Sequence, residues 1–294
     1  MRKLIVIAAL AAAAAPFSAV QAQDPSPEEM TCPIGGKAFA FTPAGRQTAV
    51  GERPDGKPYG NRVAPAALPE CPDNGLVFYK DYEPEEVAKL EPLVASEAYQ
   101  ALRQTDTQYY RAYWLMREMG VAPERQVIAL VQAGWEADAR PELRARYLGE
   151  LAEASAAVEA RPADVNWIAM EGRSINALRE LGRFDEALAR LDKLPMEALD
   201  APTGSKAPML KQWSEYLLKL RVALERKDAS REPIDMIPRS MAYSRCIEGG
   251  DSLGDTDKAF CEKQSAEVEA LRSRRAAKAK ELETLRRSRE SSGR

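Results

Sequence analysis

Ser252 lies in a short string of residues whose types and spacing match a catalytic motif. Residues 250–254 read Gly-Asp-Ser-Leu-Gly, the G-x-S-x-G spacing of a nucleophile elbow, in which a strained turn presents the serine hydroxyl. Such a serine needs an imidazole that accepts its proton, and the sequence contains no histidine. The string also follows Cys246 instead of a strand-like run, so we interpret its glycines as the turn of a disulfide loop.

The absence of histidine restricts the chemistry of the whole sequence. It excludes Ser-His-Asp and Cys-His catalysis, zinc sites with mixed Cys and His ligands, haem sites with a His ligand, and pH switches built on imidazolium. The net charge of −3, from 42 Lys and Arg against 45 Asp and Glu, is not that of a general nucleic-acid binder. We therefore expect a non-enzymatic protein with no catalytic residue, no cofactor, no metal and no nucleic-acid partner.

Paired carboxylates are the chemistry that this composition leaves open. Near-pairs such as Glu136 with Asp138 and Glu150 with Glu153 occur along the chain. Two carboxyl groups about 5–10 Å apart can cleave a glycosidic bond without histidine. The alternative function is therefore a carboxylate-dependent periplasmic hydrolase that acts on cell-wall glycan. The pattern favours none of these acids over the others, since acids on helix surfaces are usually solvated.

A stripe of aromatic residues supplies the candidate contacts for a partner. Tyr109, Tyr110, Tyr113 and Trp114 have the spacing of one face of a helix. A stripe of this kind more often packs between helices than binds a ligand, so we expect most of it to be core. The candidates for binding a protein or peptide partner are Tyr109, Tyr110 and Trp114, with Tyr109 expected to be the most exposed.

Residues 1–22 have the pattern of a secretory signal peptide. Arg2 and Lys3 precede an apolar, alanine-rich run, and Val20 and Ala22 are the small residues that a signal peptidase reads. We expect cleavage after Ala22 and export to the periplasm. The apolar run is shorter than the roughly 20 residues that span a bilayer, and no later stretch is long enough, so we expect no transmembrane segment.

Four cysteines in an exported chain predict disulfide bonds, and four cysteines allow three pairings. Cys246 and Cys261 lie 15 residues apart, and a bond between them closes a short loop worth about 3 kcal/mol by chain entropy. Cys32 and Cys71 are each followed by proline, then by glycine and aromatic residues. Of the three possible pairings, the spacing favours the one that contains a Cys246–Cys261 bond.

The segments 32–36 and 71–75 resemble the two CPxCG knuckles of a zinc ribbon in which the second cysteine of each knuckle is missing. Gly35 and Asn74 stand where those ligands would be, and an all-cysteine zinc site needs four thiolates. A ribbon holds its sulfurs about 3.8 Å apart around the metal. The resemblance therefore implies that the two remaining cysteines form a disulfide in place of zinc. A metal site that keeps these two cysteines is the alternative.

From Pro84 onwards the sequence predicts stacked amphipathic helices. A proline followed by apolar residues at helical spacing marks Pro84 and Pro123 as helix starts, and Gly120 marks a helix end. Residues 177–191 resemble the turn and second helix of a tetratricopeptide repeat. The residues that match the repeat are Ala177, Gly182, Phe184 and Ala187, and further helices are predicted at about 141–160, 163–181, 183–194 and 208–227.

The degenerate ribbon and the repeat-like helices together resemble an uncharacterised bacterial family that joins a zinc knuckle to a tetratricopeptide-like helical domain, over roughly residues 30–195. The predicted fold is mostly α, with antiparallel tetratricopeptide-like hairpins preceded by a small β module that a Cys32–Cys71 disulfide closes. The predicted short strands are at 38–42, 47–50 and 76–79. The predicted parts are a signal peptide at 1–22, the β module at 23–83, the helical domain at 84–228, and a proline-bearing link, a Cys246–Cys261 loop and a charged helix at 229–294.

The charge of the carboxyl-terminal segment differs from that of the rest. Residues 262–294 hold ten Lys and Arg against six Glu, so this helix could contact anionic surfaces weakly.

The leading functional hypothesis is a non-enzymatic interaction or scaffold protein of the bacterial cell envelope, whose stacked helices present a concave surface to a protein or peptide. The glycan hydrolase and a structural protein without a stable ligand are the alternatives.

Overall fold

A computed structural model of the chain describes residues 25–45, 48–61, 64–200 and 202–292. The predicted signal peptide, with its cleavage after Ala22, lies outside these residues. The described part is mostly helical, with two small antiparallel sheets at its amino-terminal end and the Cys32–Cys71 disulfide. The predicted mostly α fold with a small disulfide-closed β module is therefore confirmed.

The amino-terminal module contains two short β-hairpins. β1 (Glu28–Thr31) pairs antiparallel with β2 (Ala38–Phe41), and β3 (Ala49–Glu52) pairs antiparallel with β4 (Pro58–Gly60). β2 and β3 correspond to two of the predicted runs, although Gln47 lies outside the described residues. β1 was not predicted, because its sequence Glu-Glu-Met-Thr lacks the alternation of a half-buried strand.

The two cysteine knuckles adopt the same turn. The N–H of Cys32 donates to the carbonyl of Lys37, and the N–H of Cys71 donates to the carbonyl of Leu76, each at 2.9 Å. The disulfide joins the two knuckles, as the zinc-ribbon resemblance implies. Residues 76–79, predicted as a strand, form only an isolated bridge, because the turn directs them into the core against the helices instead of alongside another strand.

Twelve α-helices lie within the described residues, and local signals set several of their ends. Proline begins three of them, where its missing N–H costs nothing. Gly120 and Gly182 take φ values of 66° and 74°, the left-handed conformation that ends a helix. The helices are α1 (Pro84–Ala95), α2 (Glu97–Thr105), α3 (Gln108–Glu118), α4 (Pro123–Glu136), α5 (Pro141–Ala156), α6 (Val165–Glu180), α7 (Phe184–Leu191), α8 (Met196–Asp200), α9 (Ala207–Glu225), α10 (Arg239–Glu248), α11 (Asp255–Lys263) and α12 (Ser265–Ser292).

Most of the predicted helices match observed ones, and four observed helices were not predicted. The four helices predicted between residues 141 and 227 correspond to α5, α6, α7 and α9, with ends shifted by up to a few residues. The unpredicted helices are α2, α8, α10 and α11, and the last two lie where a proline-bearing link and a disulfide loop were predicted. The hydroxyl of Ser96 accepts the N–H of Tyr99 at 3.2 Å and caps α2, so a start signal for α2 was present in the sequence.

Consecutive helices pack in order along the array. Each of α3 to α6 contacts the helix that follows it, and α6 also contacts α4 and α9. Because the connecting turns are short, neighbouring helices run antiparallel, and α4, α6 and α9 share one face of the array. The β module is part of the same structure, since its disulfide belongs to the core cluster that includes Leu90 and Leu115 of α1 and α3.

The carboxyl-terminal part is made of three charged helices. The Cys246–Cys261 disulfide joins α10 to α11, as the spacing of the cysteines favours. Val268 of α12 is buried, but the side chains of residues 276–290 are all exposed. None of the helices in the described parts of the chain combines the length and apolarity needed to span a bilayer.

Candidate partner-binding groove

The turn of the second hairpin is inserted against the helical array. Residues 53–56 are buried, with Arg53 only 7% and Asp55 only 5% exposed. Gly56 has a φ of 87°, and a Cβ at this position would lie 2.7 Å from the Arg173 side chain. The turn therefore needs glycine both for its conformation and for its close approach to the helices. The Pro-Asp-Gly sequence predicts a turn here, but no local signal predicts that the turn is buried.

Three helices of the array bind the main chain of this turn. Nε1 of Trp135 in α4 donates to the carbonyl of Asp55 at 3.2 Å, and the hydroxyl of Tyr216 in α9 donates to the carbonyl of Pro54 at 2.8 Å. Arg173 in α6 donates to the same Pro54 carbonyl. The face that α4, α6 and α9 share therefore binds main-chain carbonyl groups of a non-helical segment.

A buried network of ion pairs holds the turn in place. The carboxylate of Asp55 lies 2.5 Å from Arg53 and 2.9 Å from Arg144 of α5, and Arg144 lies 2.7 Å from Glu180 of α6. Burial acts to raise the pKa of Asp55, but the hydrogen bond and charge of Arg53, together with the charge of Arg144, outweigh it and lower the pKa. Asp55 is therefore ionised at neutral pH and attracts both guanidinium groups.

Asp138, which follows α4, binds the remaining cations of the network. Its carboxylate lies 2.8 Å from Arg53, 2.7 Å from Lys57 and 3.1 Å from Arg144. Burial opposes the ionisation of Asp138, but the hydrogen bonds from Arg53 and Lys57 hold its pKa below the usual value. Each of these buried charges has an opposite charge in contact, which is the condition under which a buried ion pair is tolerated.

A groove of about 700 Å³ lies beside the inserted turn, between α4 and α6. Its lining is largely apolar and includes Val131, Trp135 and Met170. Ile128 also lines the groove and is 60% exposed, so the apolar lining reaches the surface. Charged residues line the groove as well, among them Glu124 and Arg161. A concave site of this size that combines apolar surface with polar groups can accept an apolar side chain.

The polar groups of the groove include two amides that can bind a peptide main chain. The side chains of Gln132 and Asn166 line the groove and form no hydrogen bond within the described residues. A side-chain amide can both donate and accept, so it matches the N–H and carbonyl groups of a peptide. The charge of Arg173 at the same groove is balanced by Glu52, 3.0 Å away.

The three tyrosines of the aromatic stripe are buried, as expected for most of its members. Tyr109 is 9% exposed and its hydroxyl donates to the carbonyl of Ala66 at 2.9 Å, so the expectation that Tyr109 is the most exposed member is wrong. The loop that contains Ala66 covers it. Tyr110 is 6% exposed and stacks on Tyr147 with ring centroids 4.4 Å apart, while Trp114 is half-buried against another tyrosine. The stripe therefore contributes to the packing of α3, and Trp114 is its most exposed member.

A second cavity, of about 910 Å³, lies on the other side of the hairpin and contains the carboxyl of Glu136. Burial raises the pKa of Glu136, although the N–H of Tyr109 donates to its carboxylate at 2.8 Å. This N–H belongs to the first turn of α3, so Glu136 satisfies a helix end. Asp138 also lines the cavity and is ionised, and a raised and a lowered carboxyl pKa in one cavity is the combination that acid–base chemistry uses.

The cysteines and Ser252 have structural roles in the described part of the chain. The sulfurs of Cys32 and Cys71 lie close to the carboxylate of Asp73, but both sulfurs are in the disulfide, so no thiolate remains to bind a metal. Ser252 is exposed on a 3-10 turn, and its hydroxyl donates to the carbonyl of Gly249 at 2.6 Å. The turn that follows α10 is not the strand-to-helix elbow that a nucleophile needs.

Comparisons with protein-family models, curated proteins and solved structures give no significant match to this chain. The fold and the groove therefore define the class of protein by themselves. It is a helical-array protein with a disulfide-closed β module, in which the second hairpin docks on the array beside an apolar groove. The groove residues were missed at the sequence level because α4 and α6 each show an ordinary apolar stripe, and only their packing separates groove residues from core residues.

Proposed function

We propose that this chain is an exported, non-enzymatic interaction or scaffold protein of the bacterial cell envelope. Its helices act as a tetratricopeptide-like array, and the groove between α4 and α6 binds an extended segment of a partner protein. The observation that carries the proposal is the docked turn. Trp135, Arg173 and Tyr216 already bind the main-chain carbonyls of a non-helical segment on the face where the groove lies.

The composition of the groove supports a partner segment with an apolar side chain. Val131, Met170 and Ile128 provide apolar surface, and burial of one large apolar side chain contributes about 1.5–3 kcal/mol. Gln132 and Asn166 provide amides for the main chain of the segment. An extended segment is favoured because it presents both main-chain groups and alternating side chains to such a surface.

One feature of the sequence and one of the structure support export. The first 22 residues have the pattern of a signal peptide, and all four cysteines lie in disulfides, which fit an oxidising compartment. Periplasmic localisation is therefore part of the proposal. Fractionation of cells that make the chain, followed by mass measurement of the exported product, tests both the compartment and cleavage after Ala22.

Site-specific photo-crosslinking tests the proposed groove. A photoreactive amino acid replaces Ile128 at the groove, and in a matched control it replaces Leu218, which is 49% exposed on α9. We expect crosslinks to a defined partner protein from position 128 and not from position 218. The same partner from both positions, or none from position 128, would contradict the proposed use of the groove.

The second candidate function is the carboxylate-dependent hydrolase of cell-wall glycan, which the raised pKa of Glu136 favours. The carboxyl of Glu136 is already bound by the N–H of Tyr109, which supports a structural role. Incubation of the purified protein with peptidoglycan separates the two candidates. Turnover that is lost in Glu136→Gln would replace the interaction hypothesis with the hydrolase.

A further inference from the structure

β3 is an edge strand without a second neighbour in the described part of the chain. It pairs with β4 along one side, and no other strand of the described residues joins that sheet. Pro238 lies against Gly51, where a Cβ would be 2.3 Å from the proline ring. The adjacent Val50 is 65% exposed, and successive residues of a strand face opposite sides. An exposed edge of this kind presents unpaired main-chain groups to any segment that can pair with it.

The free edge of β3 lies on the side of the α4–α6 groove. Glu52 of β3 and Gly56 of the turn line this groove. Lys57 and Asn61, which precede and follow β4, line the cavity on the opposite side of the hairpin instead. A strand added beside β3 would therefore lie along the groove, at the usual strand spacing of about 4.8 Å.

We infer that the partner segment binds as an additional β-strand beside β3 and places one apolar side chain in the α4–α6 groove. This inference rests on the proposed function and specifies the partner as an extended peptide with a large apolar residue. Main-chain pairing with β3 supplies affinity, and the groove that contains Ile128 supplies selectivity, as in other cases of strand addition. The proposed site is formed by both the β module and the helices. It lies next to the contact that the hairpin already makes with α4, α6 and α9.

The test uses a selected peptide as its probe. A displayed library of random peptides of about twelve residues, long enough to cover a short strand with its flanks, is selected on the full-length exported protein with both disulfides intact. The tightest binder is synthesised, and its affinity is measured for the wild type, for Ile128→Asp and for the control Leu218→Asp. A series of probe peptides, each N-methylated at one residue, identifies the N–H groups that bind. Hydrogen exchange of residues 49–52 is measured with and without the probe.

If the probe binds as an added strand, the effect of N-methylation on its affinity should alternate from one residue to the next. N-methylation of every second residue should weaken binding about tenfold, the size of one lost hydrogen bond, while methylation of the residues between them should have a much smaller effect. Exchange at residues 49–52 should slow when the probe binds, and Ile128→Asp but not Leu218→Asp should weaken binding at least about tenfold.

The outcomes separate the two proposals. A probe whose binding depends on Ile128, but which shows a flat N-methylation series and unchanged exchange in β3, overturns strand addition and leaves the groove proposal standing. A library that yields no binder, or a binder that is insensitive to Ile128→Asp, overturns the proposed use of the groove and strand addition with it.

Discussion

The carboxylate of Asp55 and the guanidinium of Arg144 lie 2.9 Å apart, although 89 positions separate them in the chain. Their side chains are 6% and 5% exposed, so the pair is removed from water. The contact joins the tip of a hairpin in the β module to α5 of the helical array. It thereby fixes the hairpin beside the groove between α4 and α6, and the stability of the protein should depend on it.

Substitution of Asp55 should destabilise the fold strongly. In Asp55→Asn the guanidinium groups of Arg53 and Arg144 lose a buried counter-charge, and breaking a buried pair in this way costs about 3–5 kcal/mol. Urea unfolding followed by circular dichroism measures the change. The matched control is Asp192→Asn, which removes an exposed pair with Arg221 and should cost less than about 1 kcal/mol. Equal decreases in the free energy of unfolding of the two variants would show that burial does not make the Asp55 pair more important for stability than an exposed pair.

Stability should depend on pH in two opposite ways. Burial acts to raise the pKa of Asp138, but the hydrogen bonds from Arg53 and Lys57 lower it below the ordinary value. The contribution of ionised Asp138 to the stability of the fold is therefore complete above about pH 4, which is the pKa of Asp in the unfolded chain. It is lost as the pH falls through the lower pKa of the folded state. Burial raises the pKa of Glu136. As the pH falls from 7, the folded state binds this proton before the unfolded chain does, so stability rises.

Urea midpoints measured between pH 3 and pH 7 test this dependence. The wild type should gain stability from pH 7 towards pH 5 and lose it below about pH 4. Glu136→Gln should gain less than the wild type between pH 7 and pH 5, and the steep loss at low pH should remain. A variant that gains as much as the wild type would show that Glu136 does not take up the proton.

The two disulfides should differ in how readily they are reduced. Cys32 and Cys71 are 1% and 0% exposed inside the core, whereas Cys246 and Cys261 are partly exposed between α10 and α11. In increasing dithiothreitol, thiol labelling and mass spectrometry should detect free Cys246 and Cys261 first, because exchange requires access to sulfur. Release of all four thiols in a single step would contradict this order.

Loss of the buried disulfide should also cost more than loss of the other one. The Cys32–Cys71 bond closes a loop of 39 residues and the Cys246–Cys261 bond closes one of 15. Chain entropy assigns about 4 and about 3 kcal/mol to these loops. Replacement of both cysteines by alanine in each pair, followed by thermal unfolding, should lower the melting temperature more for the first pair. The core contacts of Cys32 and Cys71 add to the difference.

Substitution of Ser252 should have no effect on activity. Its hydroxyl bonds to the carbonyl of Gly249 on an exposed turn, and the sequence contains no histidine that could activate it. Ser252→Ala should therefore resemble the wild type in hydrolysis of a short-chain ester, with no turnover by either protein, and in stability within about 0.5 kcal/mol. Esterase activity that disappears in this variant would restore the catalytic interpretation of the string.

Removal of the end of α12 should change surface binding and leave the fold intact. The side chains of residues 276–290 are exposed, and a chain that ends at Ala277 loses six Lys and Arg but only three Glu. We propose weak contact of this segment with anionic surfaces. The full chain should bind phosphatidylserine vesicles at low salt and dissociate from them at higher ionic strength. The shortened chain should bind these vesicles weakly at either salt concentration. Equal binding by both chains would exclude this role.

Much of the local structure could be predicted because its causes are local. Proline at a first helical turn and glycine at a helix end depend on the backbone of one residue, and the helix starts at Pro84 and Pro123 and the end at Gly120 follow from them. The spacing of the cysteines favours the Cys246–Cys261 bond, and the knuckle resemblance implies the other one. The absence of histidine excludes several classes of enzyme, because no fold can supply an imidazole that the sequence lacks.

The groove and the docked hairpin were decided by tertiary structure. The turn at 53–56 is buried because two residues far away in the sequence, Asp138 after α4 and Arg144 of α5, compensate the charges of Arg53 and Asp55. Tyr109 is buried because a distant loop covers it, whereas Ile128 on an equally apolar helix face is left exposed. Helical periodicity shows that a face is apolar, but which neighbour covers that face depends on contacts between residues that the sequence does not place together.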